Sequence, residues 1–149
     1  MGVKKYYNLG KNILYPLNRS LTGKDTIQTL KAIKKEFPNL KIKKIKSGTR
    51  VFDWKIPNEW NVSVAYVEDK FGERIIDFKN NNLHLVGYSS PIKKTIYKQD
   101  LFDHIYSLKK QPTAIPYITS YYKKRWGFCI NEYQKKCLIK NIINTINLK

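Results

Sequence analysis

The sequence predicts an α+β protein in which helices near both ends flank a β-rich middle. Two patterns in the 149-residue chain support this prediction. Near both ends, apolar residues recur every three or four positions, which is the spacing of one face of an α-helix. Between residues 40 and 78 they nearly alternate with polar residues, which is the spacing of a half-buried strand. With 42% apolar residues, the chain is long enough to form one domain with a modest core.

Two helices are predicted before the β-rich middle. The first lies within residues 3–16 and ends at Pro16, because proline interrupts helical hydrogen bonding. The second covers residues 24–37, and Ser20 or Thr22 can cap its N-terminus. The apolar residues of the second helix fall on one face: Ile27, Leu30, Ile33 and Phe37.

Strands are predicted for four segments of the middle region. They lie near residues 40–46, 49–56, 60–69 and 73–78. The short Asp69–Gly72 connection predicts that the last two segments pair as an antiparallel hairpin.

Shorter elements are predicted after the hairpin. Residues 98–108 read as a short helix, and Pro112 and Pro116 hold the next segment extended. The stretch "WGFCI" predicts another strand. The last seventeen residues, 133–149, are helical by their apolar period.

The net charge of +18 is unevenly distributed along the chain. Residues 1–50 carry 13 cations against 2 acids, residues 51–100 carry 7 against 7, and residues 101–149 carry 9 against 2. Such a field attracts nucleic acid or an anionic membrane. Yet only 4 of the 29 cations are arginine, the side chain best suited to phosphate. Solvated lysine in an AT-rich coding sequence is the favoured explanation, so nucleic acid is not the expected partner. A small basic nucleic-acid-binding module remains the alternative function.

The sequence also bears on location and redox state. It contains no run of eighteen apolar residues and no pattern of a secretory signal, so no membrane span and a cytoplasmic location are expected. Cys129 and Cys137 are then expected to be reduced thiols.

Neither a metal site nor a catalytic site is predicted in this chain. The candidate zinc ligands are widely separated in sequence and form no short pair: His84, His104, Cys129 and Cys137. No motif places a nucleophile beside a base. Asp53 and Asp77 sit beside aromatic residues on predicted strands, where hydrogen bonding explains them better than catalysis.

Two short stretches suggest binding. "RSLTG", Arg19–Gly23, is either an anion-binding turn at a helix N-terminus or a simple cap, and the cap is the favoured interpretation. "SYYKKRWGFC", Ser120–Cys129, combines aromatic residues and cations as a stacking platform for single-stranded nucleic acid does. On a strand, however, alternation divides its tyrosines between two faces. Core packing of Trp126 and Phe128 is therefore the better prediction.

Four ordered stretches together resemble a known bacterial family. They are "LNRSLTGKDTIQTL", "SGTRVFDWKIPNEWNV", "RIIDFKNNNLHLVGYSSPI" and "QPTAIPYITSYYKKRWGFC". In this order and spacing they are similar to the N-terminal part of the aminopeptidase-like family, zinc metallopeptidases related to the di-zinc exopeptidases. The resemblance covers about residues 12–134.

The resemblance implies a domain organisation. In the family, an α/β peptidase-like domain is interrupted by an inserted β-rich domain of unknown function. By resemblance, residues 1–47 would supply the N-terminal helices and first strand of an incomplete peptidase-like domain. Residues 48–130 would form the inserted domain, and residues 131–149 a C-terminal helix outside the family pattern. The family's gene context implies a link to surface-polysaccharide synthesis.

The family's metal-ligand segments, a His-Pro segment and a bridging Asp, are missing from this sequence. We therefore expect a truncated, non-catalytic fragment, with zinc implied only for the full-length family. The stretch "SYYKKRWGFC" would form one wall of a cleft that lacks its metal-bearing wall.

The resemblance also implies which residues bind the substrate and that the chain associates with itself. The substrate would be peptide-like or another small molecule. The residues that would bind it, by resemblance, are Arg19, Ser20, Thr22, Tyr121, Tyr122, Arg125 and Trp126. Helices 24–37 and 134–147 would leave apolar faces uncovered, so self-association is expected.

Overall fold

The computed structural model describes residues 2–121, 123–141 and 145–148. Helices and small β-sheets both occur, so the predicted α+β class is confirmed. The chain divides between Asn61 and Val62 into two compact units. The domain boundaries inferred from the family resemblance, at residues 47/48 and 130/131, stay predictions.

The first unit contains the two predicted helical segments. The segment before Pro16 comprises α1 (Gly2–Asn8) and a π-helix (Leu9–Leu14). The second helix, α2 (Lys24–Glu36), ends within one residue of the predicted boundary. Both predicted helices are therefore present.

The cap of α2 differs from the prediction, because Gly23 rather than Ser20 or Thr22 is the N-cap residue. Gly23 has φ +126°, a conformation that favours glycine, and a Cβ there would lie 2.5 Å from the Trp60 carbonyl oxygen. The Thr22 hydroxyl instead donates to the Asn58 carbonyl at 3.0 Å.

The predicted strand at 40–46 is absent, and the predicted strand at 49–56 is a small hairpin instead. Its strands, β1 (Arg50–Val51) and β2 (Trp54–Lys55), pair antiparallel. Residues 40–46 have irregular structure in which Ile45 is exposed. A strand needs a hydrogen-bonded neighbour, and this segment has none among the described residues.

The second unit is built on a four-stranded antiparallel sheet. Its strands β3 (Tyr66–Glu68) and β4 (Arg74–Asp77) form the predicted hairpin, with Val67 opposite Ile76. The sheet order is β4-β3-β8-β5, where β5 is Lys94–Tyr97 and β8 is Thr145–Leu148.

The end of the chain corrects the predicted terminal helix. The helix α4 covers Glu132–Asn141, whereas residues 145–148 form β8 between β3 and β5. Within the sheet, β3 and β5 pair with β8 and not with each other. The apolar period of these residues fits a helix, but pairing with strands that lie far away in sequence decides their structure.

Shorter elements complete the second unit. A 3₁₀ turn (Asn82–His84) precedes β5, and the helix α3 (Lys98–Phe102) directly follows it. The helix predicted over 98–108 stops at Phe102, because the chain turns at Asp103 and His104 into β6 (Ile105–Tyr106). The predicted strand at "WGFCI" is β7 (Phe128–Cys129), which pairs parallel with β6.

The hydrophobic core lies in the second unit. Its buried members come from the sheet, from α3, from the β6–β7 pair and from α4. They are Ala65, Val67, Ile76, Ile96, Leu101, Ile105, Phe128, Ile130 and Leu138. Trp126 is partly buried against this cluster, so the predicted core roles of Phe128 and Trp126 are confirmed.

A buried carboxylate anchors the β3–β4 hairpin. Asp77 accepts hydrogen bonds from Arg74 Nη1 at 2.8 Å and from the Lys79 backbone N–H at 2.9 Å. Burial alone raises the pKa of Asp77, but these donors and the nearby positive charges outweigh it and hold the pKa below its ordinary value. Its predicted hydrogen-bonding role is confirmed.

None of the helices in the described part of the chain has the length and hydropathy of a membrane span.

Replacing Asn147 with proline tests the central position of β8. Asn147 lies opposite both Glu68 and Thr95, so a missing N–H breaks a ladder bond inside the sheet. We expect Asn147→Pro to lower the free energy of unfolding by about 1–3 kcal/mol in urea titrations. Asn147→Ala keeps the N–H and is the matched control. Equal stability of the two variants would contradict the sheet order.

Replacing Asp77 with asparagine tests the buried carboxylate. A carboxyl whose folded pKa is lowered adds stability that is present above its unfolded pKa and is lost as pH falls through the folded pKa. At neutral pH we expect Asp77→Asn to reduce the free energy of unfolding by about 1–3 kcal/mol. The difference from wild type should narrow at about pH 3. The control is Asp53→Asn, in the exposed β1–β2 turn, and a pH-independent loss at Asp77 would refute the electrostatic account.

Candidate functional site

The stretch "SYYKKRW" contains a tight turn. The Ser120 hydroxyl donates to the Lys123 carbonyl at 2.6 Å and closes the turn at its base. Arg125 Nη2 donates to the Thr119 carbonyl at 2.7 Å, which spans the same turn. Tyr122 lies outside the described residues.

Backbone hydrogen bonds fasten this turn to the loop at residues 87–90. The Gly87 N–H donates to the Ile118 carbonyl at 2.8 Å, and the Ser120 N–H donates back to the Gly87 carbonyl at 2.9 Å. The Ser90 N–H donates to the Arg125 carbonyl at 2.9 Å. The two segments therefore form one backbone platform.

Three tyrosines meet on this platform, and we call Tyr88, Tyr117 and Tyr121 the tyrosine cluster. The rings of Tyr88 and Tyr121 meet edge to face, with centroids 5.1 Å apart and an interplanar angle of 76°. Partial burial of its hydroxyl raises the pKa of Tyr117, and a hydrogen bond to Tyr121 adds to the effect. The Tyr117 residue as a whole is still 65% exposed, so a ligand can reach its ring.

The backbone of Tyr88 is strained. Its φ of +61° is in the left-handed region, which side chains with a Cβ rarely occupy. Strain of this kind clusters at binding and catalytic sites, where the surrounding structure maintains it. Here the hydrogen bonds of Gly87 and Ser90 hold the loop on both sides of Tyr88.

Arg125 adds a positive charge to the same backbone platform. Its guanidinium carbon lies 5.9 Å from the centroid of the Tyr106 ring. Among the described residues, Arg125 has no carboxylate partner, and its Nε atom is buried without a hydrogen-bond acceptor. A planar guanidinium without an internal counter-ion is suited to an anionic group of a ligand.

Trp126 belongs to the packing beneath the site. Its ring stacks on His104 with centroids 3.6 Å apart, and Lys94 Nζ lies 5.1 Å from its centroid. His104 Nδ1 is also 3.1 Å from the Trp126 carbonyl oxygen.

The Arg19–Gly23 turn lies in the first unit and is internally paired. The Thr26 hydroxyl donates to the Ser20 carbonyl at 2.8 Å, and the Ser20 hydroxyl donates to the Thr22 carbonyl. The Lys24 N–H at the start of α2 donates to Asn61 Oδ1 at 2.7 Å. This donor is already occupied by a side chain from outside the turn, so it is not available to a bound anion. Of the predicted substrate-side residues, Arg19, Ser20 and Thr22 share this turn, whereas Tyr121, Arg125 and Trp126 share one segment of the second unit.

The described residues do not fit a zinc ion. His84 is buried, and its Nδ1 lies 2.8 Å from the Cys129 carbonyl oxygen, while His104 is stacked on Trp126. Cys129 is buried and Cys137 is exposed on α4. In the described part of the chain, no three His, Cys, Asp or Glu side chains are grouped as metal binding requires.

Sequence reasoning missed Tyr88 and Tyr117. Both follow residues that constrain the backbone, Gly87 and Pro116, within the quoted stretches "VGYSS" and "AIPYITS". The glycine and the proline were visible in the sequence. The spacing of apolar residues, however, gave no reason to expect that the two stretches lie together in the fold.

Comparison with known proteins places this site within a family. The model of the domain of unknown function DUF2172 matches residues 59–144. This range contains the tyrosine cluster and Arg125 and excludes the Arg19–Gly23 turn.

Two similar proteins come from Clostridium acetobutylicum. One is provisionally named a polysaccharide biosynthesis protein with an aminopeptidase-like domain, and it is 44% identical over 133 residues, covering 88% of this chain and 30% of its own length. The other is a provisionally named peptidase with a crystal structure, 39% identical with a TM-score of 0.89, covering 97% of this chain and 33% of its own. This chain thus spans about a third of the length of each.

The two cysteines should differ sharply in reactivity. Burial raises the pKa of the Cys129 thiol to about 11, although the Ile118 N–H and the Arg125 charge oppose the rise. Alkylation requires the thiolate, so we expect the exposed Cys137 to react in native buffer and Cys129 to react only in denaturant. Mass spectrometry after iodoacetamide treatment measures both sites. Rapid native labelling of Cys129 in the Cys137→Ser variant would contradict the buried assignment.

Proposed function

Because the chain belongs to the family defined by the domain of unknown function DUF2172, we propose that it is a non-catalytic, substrate-binding part of a peptidase-like protein. The observation that carries this proposal is Arg125, a cation without a carboxylate partner among the described residues, on the same hydrogen-bonded platform as the tyrosine cluster. Both lie in the range that matches the family. The names of the two relatives support the peptidase-like context.

The ligand that suits this site is a small peptide-like molecule with a carboxylate. The guanidinium of Arg125 would bind the carboxylate through charge-assisted hydrogen bonds. The exposed ring of Tyr117 would pack against an apolar part of the same ligand. Of the substrate-side residues implied by resemblance, we retain Tyr121 and Arg125 and assign Trp126 to the supporting core.

Zinc and catalysis belong, in this proposal, to parts of the larger protein outside this chain. The described histidines are engaged by a backbone carbonyl and by Trp126, and neither belongs to a group of three potential metal ligands among the described residues. We assign no reaction step to this chain. One relative is named for polysaccharide biosynthesis. We therefore propose that the larger protein acts in such a process and that its substrate there is a peptide-like group.

Titration with a dipeptide tests the proposed ligand class. We expect alanyl-alanine to bind more tightly than its C-terminal amide, because the amide removes the charge that Arg125 would bind. Arg125→Gln should weaken alanyl-alanine binding about 10-fold or more, as measured by calorimetry. Arg50→Gln removes an equal charge from the β1–β2 hairpin and should leave the affinity unchanged.

Other outcomes separate the competing functions. Zinc-dependent hydrolysis of an aminoacyl amide that stops with a chelator would refute a non-catalytic role. Equal dipeptide affinity in the two arginine variants would remove Arg125 from the site. Tight binding of duplex DNA that weakens linearly with the logarithm of salt concentration would favour the basic nucleic-acid-binding module instead.

A further inference from the structure

The β1–β2 hairpin carries a phenylalanine at its tip in a strained conformation. Its strands, Arg50–Val51 and Trp54–Lys55, are joined by a loop of two residues, Phe52 and Asp53. Phe52 has φ +53°, which is rare for a bulky side chain and is usually adopted by glycine in loops of this length. The residue is also 90% exposed. Packing within the described chain therefore does not explain why a large aromatic side chain lies at this position.

A pair of like charges also opposes formation of the hairpin. Arg50 lies directly opposite Lys55, so their side chains leave the same face of the ladder, and both residues are exposed. Like charges in this arrangement destabilise a strand pair, and an isolated two-stranded hairpin is only marginally stable. An anionic surface facing the two cations would remove this repulsion.

The hairpin nevertheless has a fixed base, because backbone hydrogen bonds close it below the two strands. The Gly48 N–H donates to the Ile56 carbonyl at 2.8 Å, and the Ile56 N–H donates to the Thr49 carbonyl at 2.9 Å. The tip is therefore presented on an ordered support.

The chain that leads into the hairpin is both basic and apolar. Residues 41–55 carry six cations and one acid, and we call this range the basic hairpin segment. Five of the six cations are lysines. Three of its exposed residues are large and apolar: Ile45, Phe52 and Trp54. Lysines attract anionic head groups, apolar side chains enter the head-group region, and tryptophan favours the boundary between the lipid and water.

We propose that the basic hairpin segment binds the surface of a bilayer that contains anionic lipids, with Phe52 inserted among the head groups. A bilayer fits better than nucleic acid, because phosphate recognition in nucleic acids favours arginine and this segment has one arginine among six cations. The exposed Ile45 has no ring to stack on a base, whereas it can enter a lipid surface. The segment lies in the first unit, and the inference is independent of the proposed dipeptide site.

Vesicle co-sedimentation of the full chain tests the proposal. We expect binding to vesicles of phosphatidylcholine mixed with phosphatidylglycerol, and none to phosphatidylcholine alone. Because a net charge of +18 attracts any anionic vesicle, the decisive comparison is between two phenylalanines at hairpin tips. Phe52→Gly should weaken partitioning about 10-fold. Phe71→Gly removes a 77% exposed ring from the β3–β4 turn, where residues 68–74 carry three acids and two cations, and should have little effect.

Urea titration shows whether Phe52→Gly acts through folding. Glycine adopts a left-handed conformation without strain, so this variant should be at least as stable as wild type. A second pair of variants leaves the tip intact. Lys55→Gln should weaken partitioning about 5-fold, whereas Lys110→Gln removes an equal charge from an exposed position of the second unit and should weaken it less.

Fluorescence quenching measures insertion directly. Mixed vesicles whose acyl chains carry bromine should quench the tryptophan fluorescence of the bound chain. Trp54→Phe should remove most of this quenching, because Trp54 lies next to the tip, whereas Trp60 is half-buried and Trp126 packs against the core.

Four results would overturn the proposal. One is the absence of binding to mixed vesicles, and another is equal binding to phosphatidylcholine alone. The third is equal partitioning of Phe52→Gly and Phe71→Gly together with equal partitioning of the two lysine variants, since net charge alone would then explain the binding. The fourth is tight binding of a single-stranded oligonucleotide that Phe52→Gly abolishes while vesicle binding is unaffected, because the occupant of the segment would then be nucleic acid.

Discussion

The second unit depends on one segment, residues 126–130, that is hydrogen-bonded on both sides. On one side, the Phe128 N–H donates to the His104 carbonyl at 2.8 Å and the Ile130 N–H donates to the Tyr106 carbonyl at 3.0 Å. On the other, the Gly127 carbonyl accepts from the Val86 N–H at 3.1 Å. Glycine is required at position 127, because a Cβ there would lie 2.8 Å from the His104 carbonyl oxygen.

This double pairing explains why the candidate site is formed. Phe128, Cys129 and Ile130 are buried, so the segment cannot shift without exposing core side chains. The turn that precedes it is then held in place, and the loop at residues 87–90 is fastened to that turn. The strained backbone of Tyr88 is maintained between these fixed points. Packing in the core thus sets the position of surface side chains that the proposed ligand would contact.

The two units are stabilised in different ways. In the second unit, a sheet, two helices and a parallel strand pair cover a common apolar cluster. In the first, the described contacts are isolated ones, such as the Lys5–Glu36 ion pair, the Tyr6–Phe37 stack and the Asn61 cap of α2. Exposed ion pairs contribute little. The contrast shows that the buried apolar cluster of the described chain is a property of the second unit.

The sequence by itself determined the elements whose stabilising contacts are local. The apolar face of α2 recurs within four residues, so this helix was predicted with nearly correct limits. The β3–β4 hairpin closes over a short turn and was predicted as a pair, although its first strand covers only Tyr66–Glu68 of the predicted 60–69. The core roles of Phe128 and Trp126 followed from their size and apolar character. The order and spacing of the four quoted stretches were sufficient to identify the family resemblance. They specify particular residues, whereas the apolar period specifies only the type of secondary structure.

Only the tertiary structure decided the elements that depend on distant partners. Residues 145–148 have a helical apolar period but pair with β3 and β5, while residues 40–46 alternate like a strand and have no neighbouring strand in the described chain. The meeting of Tyr88 with Tyr121 is of the same kind, since the two lie more than thirty positions apart. Backbone hydrogen bonds between remote segments determine these arrangements, and nothing in the local pattern of a sequence specifies which remote segment will be the partner.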